Sequence, residues 1–216
     1  MKPFFPFFFL LFSLPLYAAI PSQPFLSSLF TSMPDSLLPL LTERNRHDMV
    51  DFYHNHIEAK VRNRLNDYAR LDTLTDDYLR LTLSRFSTLE MKLLQTTDSL
   101  PFVCLVRTIA APARESHVEF YDTLWHRLYG LELPVPATRD YFSAVPDSLS
   151  YNMDFAQRSI DDLRLVQVTL SPSAPVVTFH LSTDELDEDE KRLARRFVRT
   201  LRYRWTGSDF VRDAER

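Results

Sequence analysis

The stretch Tyr78-Leu79-Arg80-Leu81-Thr82-Leu83-Ser84-Arg85-Phe86-Ser87-Thr88-Leu89-Glu90-Met91-Lys92-Leu93-Leu94 decides the fold. Its apolar residues recur at every second position, first as Leu79, Leu81 and Leu83 and then as Leu89, Met91 and Leu93. A period of two puts each trio on one face of a strand, because successive side chains of an extended chain point to opposite faces. Arg85-Phe86-Ser87 falls between the runs and predicts the hairpin connection. Strands this close in sequence pair antiparallel, since a parallel pair needs a crossover of a dozen or more residues.

Toward the carboxyl end, Phe102 to Ile109 is almost continuously apolar and suits a central strand covered on both faces, and Val118 and Phe120 mark a shorter fourth strand. Four consecutive strands predict a meander. Toward the amino end the period changes from two to between three and four. Thr42 or Asn45 can cap a long helix whose apolar stripe is Val50, Tyr53, Ile57, Val61 and Leu65.

Pro134, Pro136 and Pro146 interrupt regular structure, and a short helix is expected at 154–162. Val166, Val168 and Leu170 then alternate, Ser171-Pro172-Ser173 turns the chain, and Val177, Phe179 and Leu181 alternate again. A helix carrying Leu193, Phe197, Val198 and Leu201 follows, with a last strand at Tyr203-Arg204-Trp205. These elements predict an α+β fold: a mostly antiparallel sheet of about seven or eight strands, a meander plus a second hairpin unit, with the long amino-terminal helix and the carboxyl-terminal helix packed on one side. Helix, hairpin and further elements recur in 42–130 and 150–216 around the proline-rich linker. The arrangement suggests two similar halves, although no residue-level repeat accompanies it.

The chain opens with Lys2, then Phe4, Phe5, Phe7, Phe8, Phe9, Leu10, Leu11 and Phe12, and reaches Ala18-Ala19. That order predicts a signal peptide over 1–19. The apolar stretch is short for a bilayer and is broken by Pro6 and Pro15, so cleavage is expected in preference to anchoring. The mature chain, 20–216, is then expected to be a single soluble domain, periplasmic or extracellular, without membrane insertion. A formal net charge of −4 gives no invitation to nucleic acid.

Cys104 is the only cysteine, so no intramolecular disulfide can form, and its neighbours Phe102, Val103, Leu105 and Val106 predict a buried, inert thiol. Glycine occurs only at Gly130 and Gly207, which removes phosphate-cradling loops, dinucleotide fingerprints and nucleophile elbows. No recognisable zinc or calcium motif is present, and no catalytic residue or cofactor is assigned.

Three constellations remain. His47, Asp51, His54 and Glu58 are spaced four, three and four apart, and on one helix would form a stripe able to meet a divalent metal. A solvated face beside the core seam explains the same pattern more economically. The acids Asp184, Glu185, Asp187, Glu188, Asp189 and Glu190 precede Arg192, Arg195, Arg196 and Arg199, an order that complements a helix dipole, with Glu188 and Arg192 as an i,i+4 pair. Tyr121, Trp125, Tyr129 and Trp205 could line a sugar groove with Asp122 or Glu132 as acids, although aromatics in strands usually supply core.

Met33-Pro34-Asp35-Ser36-Leu37-Leu38-Pro39-Leu40-Leu41, Ala59-Lys60-Val61-Arg62-Asn63-Arg64-Leu65, Ser87-Thr88-Leu89-Glu90-Met91-Lys92-Leu93-Leu94 and Tyr203-Arg204-Trp205 together resemble a secreted bacterial family known as domain of unknown function 3256. The resemblance covers nearly the whole mature chain. It implies an exported protein of Gram-negative, host-associated bacteria and carries over no activity, cofactor or site residue. The expected function is a non-enzymatic periplasmic or secreted module that binds a protein, peptide or glycan. The alternative is a hydrolase of exported glycan or peptide polymers working through a carboxylate pair or a His/Asp site.

Overall fold

A computed structural model describes residues 26–111, 113–143, 145–184 and 186–213. The expected leader, 1–19, lies outside the described residues. Among them, ten strands form two antiparallel sheets, so the expected single sheet of seven or eight strands is corrected to one of six and one of four.

The first sheet is a meander in chain order: β1 (Lys60–Arg62), β2 (Tyr68–Leu74), β3 (Tyr78–Ser84), β4 (Ser87–Gln95), β5 (Pro101–Ala110) and β6 (Arg114–Asp122). The deciding hairpin is β3–β4, with Leu81 opposite Leu89 and Leu79 opposite Met91. β1 and β2 enlarge the expected four-strand meander. They were missed because their turn, Asn63 to Asp67, is fixed by polar side-chain geometry, with Asn63 Oδ1 accepting the Leu65 and Asp67 N–H groups at 2.9 and 3.1 Å.

The two faces of this sheet serve different cores. Leu79, Leu81, Leu89, Met91, Val103 and Leu105 meet α1 (Leu26–Ser32) and α2 (Glu43–His54). Thr42 caps α2 reciprocally: its hydroxyl accepts the Asn45 N–H at 3.1 Å, and Asn45 Oδ1 accepts the Thr42 N–H at 3.1 Å. The long helix expected to reach Leu65 ends at His54. His56 takes φ +57°, its N–H bonds Tyr53 O and the Ile57 N–H bonds Phe52 O, which is a Schellman closure with histidine where glycine is usual. Past that closure Ile57 is 58 % exposed, Val61 lies in β1, and Leu65 is 70 % exposed in the turn after β1.

The opposite face presents Tyr78, Leu94, Phe102, Cys104, Val106 and Phe120 to the second core. The second sheet, β7 (Val166–Leu170), β8 (Val176–Leu181), β9 (Leu201–Trp205) and β10 (Phe210–Arg212), runs in the order β10-β9-β8-β7. Pairing sets Val168 opposite Phe179 and Phe179 opposite Leu201, so one side of this sheet is apolar, while Thr169, Thr178 and Arg202 occupy the other. α3 (Ser150–Asp162) and α4 (Glu188–Phe197) add Met153, Ala156, Ile160 and Ala194 to the same core. Helices therefore contribute to both cores, not to one side of a single sheet. α4 also stops before Val198, which bridges to Phe142, and Leu201 opens β9, so neither belongs to the helix as expected.

The sheets meet along an edge. β7 lies against β4, β5 and β6, and two of its outward N–H groups are taken by side chains of the first sheet. Ser116 Oγ accepts from Val168 N at 2.9 Å and Glu90 Oε2 accepts from Leu170 N at 2.8 Å. Lys92 Nζ, itself 2.8 Å from Asp77, donates to Pro172 O at 2.9 Å. An edge strand with unpaired backbone groups is a template for unwanted pairing, and these bonds close it.

Candidate functional site

Beside this joint lies a cavity of about 250 Å³. β6 supplies Glu115, Ser116 and Val118, the segment Leu133-Pro134-Val135-Pro136 forms the outer wall, and β7 and β8 supply Val166, Val168 and Phe179. The prolines keep that outer segment extended and non-helical. A 3-10 turn at Thr138–Tyr141 follows, held by Asp140 Oδ2 accepting the Ala137 N–H at 2.9 Å and by a contact from the Thr138 hydroxyl to Asp161. The turn places Tyr141 in the cavity wall, where Arg199 N donates to its carbonyl at 2.7 Å.

Tyr141 is 0 % exposed, yet its hydroxyl has no hydrogen-bond partner. Burial holds this phenol well above its ordinary pKa, so it remains a neutral donor. Arg164 also lines the cavity, with Nη1 donating to Pro136 O at 3.2 Å. Among the described residues no carboxylate pairs with that guanidinium, Glu115 on the rim included. The cavity thus has an apolar interior, with Glu115 and Arg164 exposed at its edge and the Tyr141 hydroxyl sealed within its wall.

Residues singled out by the sequence are placed elsewhere. His47, Asp51 and His54 lie on the exposed side of α2, and Glu58 falls after the helix has closed, so the four do not form one stripe. His47 Nε2 is instead 3.9 Å from Glu43. Among the described residues no three His, Cys, Asp or Glu side chains converge as a metal-binding group.

The aromatic set is dispersed as well. Tyr121 and Trp125 pack into the helix-side core, and Trp205 belongs to the other, donating from Nε1 to Gln95 O at 2.6 Å. Tyr129 and Glu132 share a second cavity of about 290 Å³ with Glu119 and Arg127, which are 3.1 Å apart. Asp122 is consumed by its own turn: Oδ1 accepts the Leu124 and His126 N–H groups, both at 2.8 Å, and Oδ2 meets His126 Nδ1 at 2.9 Å.

In α4 the acidic start and basic end are as expected, with Asp187 as N-cap, but the ion pairs are Lys191 with Glu188 and Arg192 with Asp189 instead of Glu188 with Arg192. Cys104 is fully buried, and loss of solvation pushes its thiol far above the ordinary range. Burial likewise raises the Glu90 carboxyl, despite Arg80 at 3.4 Å, and raises Tyr78 to about 12.

Sequence reasoning saw the prolines of the outer wall but not Tyr141 or Arg164. Each is an ordinary residue in isolation, and only the crossing of β7 over β6 brings them to one cavity.

The architecture is a meander sheet with a second sheet docked by its edge. A family model described as "Protein of unknown function (DUF3256)" matches residues 21–210, and the chain belongs to that family. A solved structure described as a domain of an uncharacterized protein from Porphyromonas gingivalis W83 is similar to it at 27 % identity and a TM-score of 0.72, covering 88 % of this chain and 98 % of that one. No curated protein matches. Among the described residues, no helix is long and apolar enough to cross a membrane.

Proposed function

We propose that this protein is an exported binding module, periplasmic or secreted, that holds its ligand without transforming it. The observation that carries this reading is the concave site beside the joint of the two sheets, walled by Val118, Leu133, Val135, Val168 and Phe179. Concave, mostly apolar sites with a few polar groups at the edge, here Glu115 and Arg164, are where small ligands are usually held. Export rests on the basic, phenylalanine-rich start and Ala18-Ala19. The hydrolase alternative has less behind it, because Asp122 is bound within its turn and Glu119 within its ion pairs.

The test is a fragment screen by protein-observed NMR on 20–216, with sequencing of the amino terminus of the processed protein. Saturable shifts at Val118, Val168 and Phe179, with a mature start near Ala19 or Ile20, are expected. Turnover of an exported polymer by the purified protein, or fragments that never perturb this wall, would overturn the reading.

A further inference from the structure

We propose that the open edge of β6 takes an extended peptide as an added strand, in the slot between β6 and the segment 131–136. This rests on the reading of the cavity as a binding site and names the class of its occupant. The cavity of about 250 Å³ is lined by Glu115, Ser116 and Val118, and the one of about 290 Å³ by Val118, Glu119 and Phe120. Successive residues of a strand point to opposite faces, so voids that touch both kinds lie beside the backbone of β6, not over either face. Val118, Leu133 and Val135 line both cavities, which therefore adjoin along that edge. Together they fall in the ordinary size range of ligand sites, about 300 to 1,000 Å³.

The backbone along this slot is unpaired on both sides. Phe120 O accepts from Leu128 N at 2.8 Å, and Asp122 N donates to His126 O at 3.0 Å, so the even-numbered residues of β6 turn their backbone groups away from β5. Val118 shares that orientation, and among the described residues nothing takes its N–H or C=O. Facing it, the backbone of 129–135 makes no hydrogen bond to any described residue, and Pro134 has no N–H to give. A cover that served only to shield the edge would take those bonds, whereas this one stands off and leaves room. Half-buried backbone groups call for partners, and one residue of an extended peptide brings both a C=O and an N–H to Val118.

The walls select the kind of strand. Leu131, Leu133 and Val135 line the slot, and its charges balance: Glu115, Glu119 and Glu132 stand against Arg127, Arg164 and Arg107, the last paired with Glu119. An uncharged peptide that alternates apolar and small polar residues suits these walls, and a polyanion meets no net positive charge there.

Acetyl-Thr-Val-Thr-Val-Thr-amide is titrated against the 20–216 protein and followed by the amide shift and hydrogen exchange of Val118. Arg62 on the β1 edge and Val211 on the β10 edge serve as controls. Two further versions carry N-methyl groups at alternate peptide nitrogens, in the two possible phases. Saturation at Val118 and not at the control edges is expected, with exchange of its amide slowed about tenfold or more. At least one methylated version is expected to bind about tenfold more weakly, because it no longer donates to Val118 O. Equal binding of all three peptides, saturation that leaves Val118 exchange unchanged, or shifts at Arg62 or Val211 in place of Val118 each overturn strand addition at β6. No saturation by the unmodified peptide overturns it as well. The cavity stands as a binding site through all of these, and only a fragment screen that leaves Val118, Val168 and Phe179 unperturbed removes it.

Discussion

Nη1 of Arg46 lies 2.9 Å from Oδ1 of Asp35, and the arginine side chain is 2 % exposed where the aspartate is 44 % exposed. The guanidinium also donates to the carbonyls of Thr31, Met33 and Leu41. Met33-Pro34-Asp35-Ser36-Leu37-Leu38-Pro39-Leu40-Leu41, the most specific piece of the family resemblance, is therefore a loop wrapped around a buried arginine of α2. Asp35 is shared with Arg64 at 2.7 Å, and the Arg46 hydrogen bond is the first cause holding its carboxyl below the usual range.

The two partners are not equivalent. Arg46→Ala removes charge-assisted bonds to three carbonyls and the buried stem, and an expected loss of about 3 kcal/mol follows from such a network. Asp35→Asn leaves the carbonyls bonded and is expected to lose much less than Arg46→Ala, because the aspartate is solvated. Urea denaturation of both variants checks this; equal losses would place the stabilisation in the ion pair instead of in the loop.

Glu90 gives a pH dependence with a definite sign. Its carboxyl is raised above 4.5 in the folded protein, so the folded state binds that proton more tightly. The contribution is complete below the unfolded value and is lost as pH rises through the folded one. Asp35, lowered from 3.8, runs the other way and loses its contribution as pH falls. Glu90→Gln keeps an acceptor for Leu170 N and removes the buried charge. The stability of wild type minus that of Glu90→Gln is expected to decline as pH rises above 4.5; a difference independent of pH would contradict the burial argument.

Ser116→Ala strips the acceptor from Val168 N and the partner from Thr108, whose hydroxyl is 2.7 Å away. A loss of about 1 to 3 kcal/mol is expected for leaving a largely buried N–H unmade. Hydrogen exchange at Val168 should speed up in this variant and stay slow in Ser116→Thr, and unchanged exchange would deny the bond its role.

Cys104, on β5 between Glu90's strand and Phe120's, is expected to resist alkylation until the protein unfolds. Cys104→Ser should destabilise by about 1 to 3 kcal/mol through an unpaired hydroxyl in an apolar site. Rapid labelling of the native protein would show that the thiol is reachable.

His47→Ala with His54→Ala is expected to change stability by no more than about 0.5 kcal/mol, as exposed positions usually do. Zinc at protein-equivalent concentration should leave the melting temperature where it was. A saturable rise lost in the double variant would restore the metal reading.

The legible part of the fold was the part written in periodicity. Leu79 to Leu93 and Val166 to Leu181 alternate cleanly, and both hairpins stand where the alternation put them. Periodicity failed where polar geometry governs. His56 in a left-handed conformation ends α2, and Asn63 folds the β1–β2 turn, so a run with helical spacing became a helix end, a strand and a turn. The division into two sheets was equally hidden, because it depends on Glu90 and Ser116, which read as ordinary outward residues of a strand until β7 lands on them. The candidate cavity inherits that opacity, since its wall is assembled only through the same crossing.

The bonds that close β7 span 80 residues to Glu90 and 52 to Ser116, whereas β1 to β6 each pair with the next strand along the chain. Wherever the chain emerges amino terminus first, its first sheet can complete its local pairings before β7 is free. The acceptors then wait for the donors. A full-length chain diluted from denaturant has no such order, and its β7 edge is open to the β7 of another molecule while Glu90 and Ser116 are still unplaced. Renaturation of this protein therefore sets an intramolecular clasp against intermolecular strand pairing, a competition that dilution favours and that vectorial emergence of the chain avoids.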